Sequence, residues 1–151
     1  LKDYDELFTE KLDLLLQLNS NEKITWKGKH RPSINNLGVY PRPYQQKLPI
    51  WVAIGGTPES VVRAATKGLP MALAIIGGMP GRFVPLTDLY KRTWKQAGHA
   101  PGILQLGINS HGYIGEAGQA TADEYFRPYI DFSFHTPYAS EAACCWSASS
   151  G

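Results

Sequence analysis

The chain has 151 residues, 43% of them hydrophobic and 19% charged, which is typical of a globular protein rather than a disordered or fibrous one. Its 15 Lys and Arg against 13 Asp and Glu give a formal charge of +2 and form no basic run, so nothing favours binding to nucleic acid or an anionic membrane. The longest apolar stretch, Met71 to Ile76, is far shorter than the roughly 20 residues of a membrane span.

The first third of the chain predicts one helix, one short strand and a long loop. Apolar residues recur at helical spacing from Asp5 to Leu18, and Lys23 to Gly28 alternates as a strand does. Prolines recur between His30 and Pro49, so this stretch is expected to be irregular.

From Ile50 onwards, short apolar runs alternate with amphipathic segments. The predicted buried strands are Ile50 to Ile54, Met71 to Ile76 and Ile103 to Ile108. Helices are expected over 57–67 and 82–97, and Thr121 to Glu124 fits a capping box that opens a last short helix. This alternation predicts an α/β fold with a parallel sheet, which a doubly wound sheet and part of a β/α barrel fit equally well.

A glycine pair follows the first of these strands, at the edge where ligands bind in such folds. Gly55 and Gly56 lead into a helix with Thr57 as its N-cap and Pro58 at its first position. Free amides at a helix start form an anion site, glycines let a phosphate approach, and Thr57 and Ser60 add hydroxyl groups. A tight turn with an N-cap explains the same pattern, and the spacing is neither that of a P-loop nor that of a Rossmann fingerprint.

The remaining polar candidates are histidines and cysteines. No two histidines have the spacing of a metal site, and the adjacent Cys144 and Cys145 favour neither a disulfide framework nor a zinc site, so we expect no metal and a reducing, cytoplasmic compartment. His111 directly follows the third strand and is the candidate catalytic residue, although an ordinary loop histidine fits as well. His99 is expected to cap the helix that it follows.

Both ends of the chain raise expectations of their own. The chain begins at Leu1 rather than at a methionine, so we expect a piece of a longer gene product. Phe132 to Gly151 has no periodicity and no Lys or Arg. We therefore expect a structured domain over 5–131 and an irregular tail over 132–151, either non-native or a natural disordered terminus.

Several segments resemble the bacterial-luciferase-like flavin-dependent monooxygenases. They are VYPRP at 39–43, PIWVAIGGTPES at 49–60, and AIIGG at 74–78, within a resemblance that covers about Asp5 to Tyr129. The resemblance implies a partial (β/α)8 TIM barrel with FMN, or alternatively a deazaflavin, as cofactor. It also implies that Gly55, Gly56, Thr57 and Ser60 receive the flavin phosphate, and that Gly77 and Gly78 lie near the flavin or the substrate.

The length limits what this resemblance implies. A full barrel needs roughly 250 residues, so the chain would supply three core strands and their helices. We expect such a piece to act on a small-molecule substrate only as part of a whole enzyme, and to self-associate through exposed strand edges. A non-catalytic flavin- or phosphate-binding fragment and a purely structural fragment are the alternatives.

Overall fold

The structure, a computed structural model, describes residues 3–76, 79–116 and 118–134. The chain divides into two compact units, Leu1–Pro49 and Ile50–Gly151. Within the described residues, no helix is both long and apolar enough to cross a bilayer.

The first unit is one helix and a two-stranded antiparallel sheet. Helix α1 (Tyr4–Ser20) begins with acids in its first turn, and strands β1 (Ile24–Trp26) and β2 (Ile34–Leu37) pair with each other. Its small core brings together apolar side chains from all three elements: Leu14, Leu18, Ile24, Trp26 and Ile34. The predicted first helix and first strand are therefore confirmed, each within a few residues.

Strand β2 corrects the prediction that the whole of 30–49 is irregular. Ile34–Leu37 contains no proline, and Ile34 is buried opposite Trp26. The register shifts along this pair, and Asn36 adopts a φ of 48°, so the strand is short and distorted. The prolines end the strand rather than prevent it, because none lies within the paired residues.

Side-chain hydrogen bonds fix the rest of this loop to α1. The Glu10 carboxylate accepts bonds from the Lys29 amide at 2.7 Å and the His30 amide at 3.1 Å. The Asn19 side chain bonds both the amide and the carbonyl of Leu48, at 2.8 and 2.9 Å. The loop is thus ordered by polar contacts that satisfy its backbone, not by a regular ladder.

The second unit alternates strands and helices. Its elements are β3 (Val52–Ile54), α2 (Pro58–Thr66), β4 (Met71–Ile75), α3 (Val84–Gln96), β5 (Leu106–Ser110) and α4 (Gly118–Phe134), with 3-10 turns at Pro80–Phe83 and Pro101–Ile103. The three strands are parallel in the order β3-β4-β5, as the alternation predicts.

The two faces of this sheet differ in side-chain size. On one face, Ile54 and Leu73 occupy paired positions and are fully buried. Three helix residues are fully buried as well: Val61 of α2, and Tyr90 and Trp94 of α3. The opposite face carries small residues at paired positions, Ala53, Ala72 and Gly107, and the Trp51 ring lies against Gly107. The unit therefore has one packed layer of helices, on the large-residue face of its sheet.

Glycines end α2 and α3 in the same way. Gly68 and Gly98 follow the last turns with φ of 64° and 78°. In both cases the glycine amide and the next amide bond back to carbonyls of the last turn, which is the Schellman arrangement. Both helices end within one residue of the predicted ends at 67 and 97.

Other boundaries differ from the predictions. Strand β5 begins at Leu106 rather than Ile103, because Pro101–Ile103 form a 3-10 turn. Helix α4 begins at Gly118, so Thr121 lies inside its first turn and the predicted capping box is wrong. The helix also continues through Phe134, three residues into the stretch predicted to be irregular, and 135–151 lie outside the described residues.

Candidate functional site

The carboxyl ends of the three parallel strands meet at one edge of the sheet. Ile54, Leu73 and Ile108 are paired across it, and β4 and β5 continue two residues further, to the paired Ile75 and Ser110. The residues that follow these strands are therefore brought to one edge, where ligands bind in parallel α/β folds.

The Gly55-to-Ser60 turn joins β3 to α2 at this edge. Gly55, Gly56 and Thr57 are exposed, and Ser60 is half-buried in the first turn of the helix. Gly56 has a φ of 145°, and a Cβ built on either glycine would meet no atom within 4 Å. A ligand can therefore approach this backbone without displacing a side chain.

The backbone of the turn leaves amide groups for a ligand. The Thr57 carbonyl accepts hydrogen bonds from the Ser60 amide at 3.1 Å and the Val61 amide at 3.3 Å, and Pro58 has no amide hydrogen. Among the described residues, no partner is found for the amides of Gly56 and Glu59. These donors lie at the positive end of the α2 dipole, which favours an anion.

Thr57 occupies the predicted N-cap position, but its hydroxyl does not cap the helix. Its backbone is extended, with φ −87° and ψ 114°, yet its side chain makes no capping hydrogen bond. The hydroxyl is thus not committed to the helix start. Glu59, the next residue but one, is exposed in the first turn and brings a negative charge to the same helix end.

The other predicted glycines lie outside the described residues. Gly77 and Gly78 follow β4, whose last strand residue is Ile75 and whose next residue, Ile76, is exposed. Their part in the site stays a prediction.

His111 follows β5 at the same edge and belongs to a column of aromatic rings. Its ring lies edge-on to Tyr129 of α4, with centroids 5.4 Å apart and planes at 81°. Tyr125 packs against Tyr129 at 5.2 Å, and Tyr113 stacks on Tyr125 at 5.3 Å. We call His111, Tyr113, Tyr125 and Tyr129 the aromatic column.

The tyrosines of this column are not among the site residues predicted from the sequence. Tyr125 and Tyr129 are four residues apart, the spacing that places two side chains on one helix face, and this was the available signal. A hydrogen bond with Glu124 raises the pKa of Tyr113, and burial, followed by the proximity of Tyr129, raises the pKa of Tyr125. Both shifts favour the neutral phenols of Tyr113 and Tyr125.

The other three histidines are His30, His99 and His135. His99 caps the helix that it follows, as predicted, through its amide, which bonds the Trp94 carbonyl of α3. Its ring has a second role, because Nε2 lies 3.0 Å from the carbonyl oxygen of Thr66 at the end of α2. His30 belongs to the first unit, and His135 lies outside the described residues. Within the part that the structure describes, no three metal-binding side chains cluster.

The fold and its edge define a parallel α/β protein with crossover helices and a glycine turn at a helix start. The family model for luciferase-like monooxygenases matches residues 1–144, and the chain belongs to this family.

Comparison with solved structures agrees in fold. The chain is similar to monooxygenase RslO1 from Streptomyces bottropensis, with 22% sequence identity and a TM-score of 0.69 over 82% of this chain. It covers 38% of that chain, so the part seen here is a partial luciferase-like (β/α)8 barrel. No curated protein matches the sequence.

Proposed function

We propose that this chain is the flavin-phosphate-binding part of a luciferase-like flavin-dependent monooxygenase. The observation that supports this proposal is the Gly55-to-Ser60 turn, where uncommitted amides, an uncommitted hydroxyl and an open glycine surface share a helix start. Phosphate is the ligand that such a combination favours.

The residues present fit a flavin phosphate. The amides of Gly56 and Glu59 and the Thr57 hydroxyl would donate to phosphate oxygens, and Ser60 would add a second hydroxyl. The exposed Glu59 carboxylate opposes a dianion, but it is free to turn into solvent because nothing buries it. We propose FMN as the cofactor, with a phosphorylated deazaflavin as the alternative.

The other edge residues would serve the reacting end of the ligand. A bound flavin supplies the redox chemistry, while the protein orients it and excludes water. We assign His111 the role of the catalytic acid or base, because it lies at the edge where the strands end and histidine is the side chain that most often takes this role. Gly77 and Gly78 would line the flavin or the small-molecule substrate.

The open sheet supports a further part of the proposal, that this chain alone does not oxygenate a substrate. Ala53, on the small-residue face, is exposed, and β3 and β5 are the outer strands of the described sheet. A closed barrel gives each strand two neighbours and shields the ligand from water. We propose that the open edges instead associate with further strands, in the simplest case those of a second copy.

Calorimetric titration of the chain with FMN, with riboflavin as the ligand lacking phosphate, tests the site. Gly56→Val should weaken FMN binding at least tenfold, because it adds a β-branched side chain at a φ of 145°. Thr57→Val should weaken it without loss of stability, since the Thr57 hydroxyl caps nothing. Gly102→Val is the matched control, at an exposed glycine before the amino end of β5 with nothing within 4 Å.

These titrations decide whether the turn binds the phosphate of FMN. Tighter binding of FMN than riboflavin, lost in Gly56→Val and kept in Gly102→Val, supports a phosphate site at this turn. Equal affinities for FMN and riboflavin, or an unchanged affinity in both turn variants, would reject it. A titration with the phosphorylated deazaflavin decides between the two cofactors.

A further inference from the structure

The aromatic column links two segments that are distant in sequence. His111 and Tyr113 come from the segment after β5, whereas Tyr125 and Tyr129 come from α4. The rings contact in the order His111, Tyr129, Tyr125, Tyr113, with each centroid distance between 5.2 and 5.4 Å. These separations lie in the range that aromatic pairs prefer.

Tyr129 has a second contact that fixes it to the sheet. Its hydroxyl donates a hydrogen bond to the Ile76 carbonyl at 3.3 Å. Ile75 and Ser110 are paired across β4 and β5, so Ile76 and His111 are the next residues along two neighbouring strands. One side chain of α4 thus contacts the residue that follows β4 and the residue that follows β5.

The contact with Tyr129 bears on the orientation of the His111 imidazole. His111 is exposed and lies past the last hydrogen-bonded position of β5, so the strand ladder does not set its rotamer. The edge-on contact with Tyr129 favours one ring orientation, and Tyr125 in turn packs against Tyr129. The Ile76 hydrogen bond sets where the Tyr129 ring can lie.

We propose that Tyr129 is a positioning residue that holds the His111 imidazole at the carboxyl edge of the sheet, with its hydroxyl anchored on Ile76. This assignment rests on the proposed function for the role of His111, but the positioning itself does not require a flavin. Tyr129 contacts the rings of His111 and Tyr125 and the Ile76 carbonyl, so we assign it a positioning role rather than a catalytic one.

Proton NMR of the His111 ring tests the positioning in the ligand-free chain. A tyrosine face or edge within this distance shifts the imidazole proton resonances, and a His111→Gln variant assigns them. Tyr129→Leu should clearly reduce the shift, whereas Tyr129→Phe, which keeps the ring and loses the hydroxyl, should retain most of it. Tyr44→Leu is the matched control, because Tyr44 is fully exposed and lies in the first unit.

Circular dichroism of each variant checks that α4 and the sheet remain folded. A clear reduction of the shift in Tyr129→Leu, with retention in Tyr44→Leu, supports the positioning role of Tyr129. A clear reduction in Tyr129→Phe as well would mean that this positioning requires the hydrogen bond to Ile76. An unchanged His111 shift in Tyr129→Leu would overturn it. The FMN titrations test the proposed function separately. The proposed function and the positioning role of Tyr129 can therefore be rejected independently of each other.

Discussion

The Glu10 carboxylate and the Lys29 amide lie 2.7 Å apart, and this contact joins the middle of α1 to the loop between β1 and β2. Glu6, one turn earlier, lies 2.9 Å from the Lys29 ammonium and 3.5 Å from the His30 ring nitrogen Nε2. Two carboxylates of one helix face therefore hold the same short stretch of loop, and both depend on carrying a charge.

This arrangement predicts a loss of stability in acid. Partial desolvation raises the pKa of Glu10, but hydrogen bonds from the amides of Lys29 and His30 outweigh it and hold this pKa below its usual 4.5. The bond from Lys29 lowers the pKa of Glu6 in the same way. The unfolded chain therefore binds protons at a higher pH than the folded one, so this stabilisation is complete above about pH 4.5 and declines as the pH falls below it.

Urea unfolding of the wild type and Glu10→Gln between neutral pH and pH 3 measures this effect. Glu10→Gln should be less stable than the wild type at neutral pH, and the difference should shrink in acid. Glu116→Gln, at an exposed position in the second unit, serves as the control and should follow the wild type. A Glu10→Gln difference that does not change with pH would contradict the role of the charge.

We expect the buried Tyr90 hydroxyl to contribute to the free energy of unfolding. The side chain is fully buried, and its hydroxyl lies 2.8 Å from the Leu69 carbonyl and 3.2 Å from that of Gln105. Tyr90→Phe should reduce the free energy of unfolding by about 1–3 kcal/mol, because the Leu69 carbonyl stays buried without this donor. Tyr44→Phe, at a fully exposed tyrosine, should change it little, and equal effects of the two variants would show that the Tyr90 bond contributes nothing.

Gly68 and Gly98 provide a matched pair, because both end a helix with a positive φ. A Cβ on Gly68 would lie 2.9 Å from Cε1 of His99, whereas one on Gly98 would meet no atom within 4 Å. Gly98→Ala should cost roughly 1–2 kcal/mol from the left-handed backbone alone, and Gly68→Ala more, because the His99 ring must also leave its place near Thr66. Thermal unfolding that ranks the two variants equally would mean that the ring moves freely.

The open sheet edge predicts self-association that depends on β5. Ile54 is 1% and Leu73 is 0% exposed, but Ile108, paired with Leu73, is 64% exposed. Sedimentation should find a dimer or a larger species, and Ile108→Asp should raise its dissociation constant about tenfold or more, since burial of such a side chain contributes roughly 1.5–3 kcal/mol.

Ile103→Asp is the control for this experiment, because Ile103 is also 64% exposed but lies in a 3-10 turn outside the sheet. It should leave the dissociation constant unchanged. A monomeric wild type would reject the association, and equal weakening by both variants would place the interface away from the strand edge.

The sequence by itself determined where several helices begin and end, because single residues set those ends. Pro58 at the first helical position and Gly68 and Gly98 at the helix ends fix the backbone by their own allowed angles, so no distant contact is needed. The same holds for the Gly55-to-Ser60 turn, which is contiguous in sequence. The resemblance to the luciferase-like family also rested on contiguous motifs around this turn, and the family match agrees with it.

Only the tertiary structure decided the features that depend on partners far along the chain. Ile34–Leu37 becomes a strand because β1 pairs with it, and the His99 ring caps Thr66, 33 residues away. Tyr129 reaches the Ile76 carbonyl across 53 positions. Periodicity and propensity describe one segment at a time, whereas these contacts form only when folding offsets the entropy of bringing distant segments together, so no local pattern could specify them.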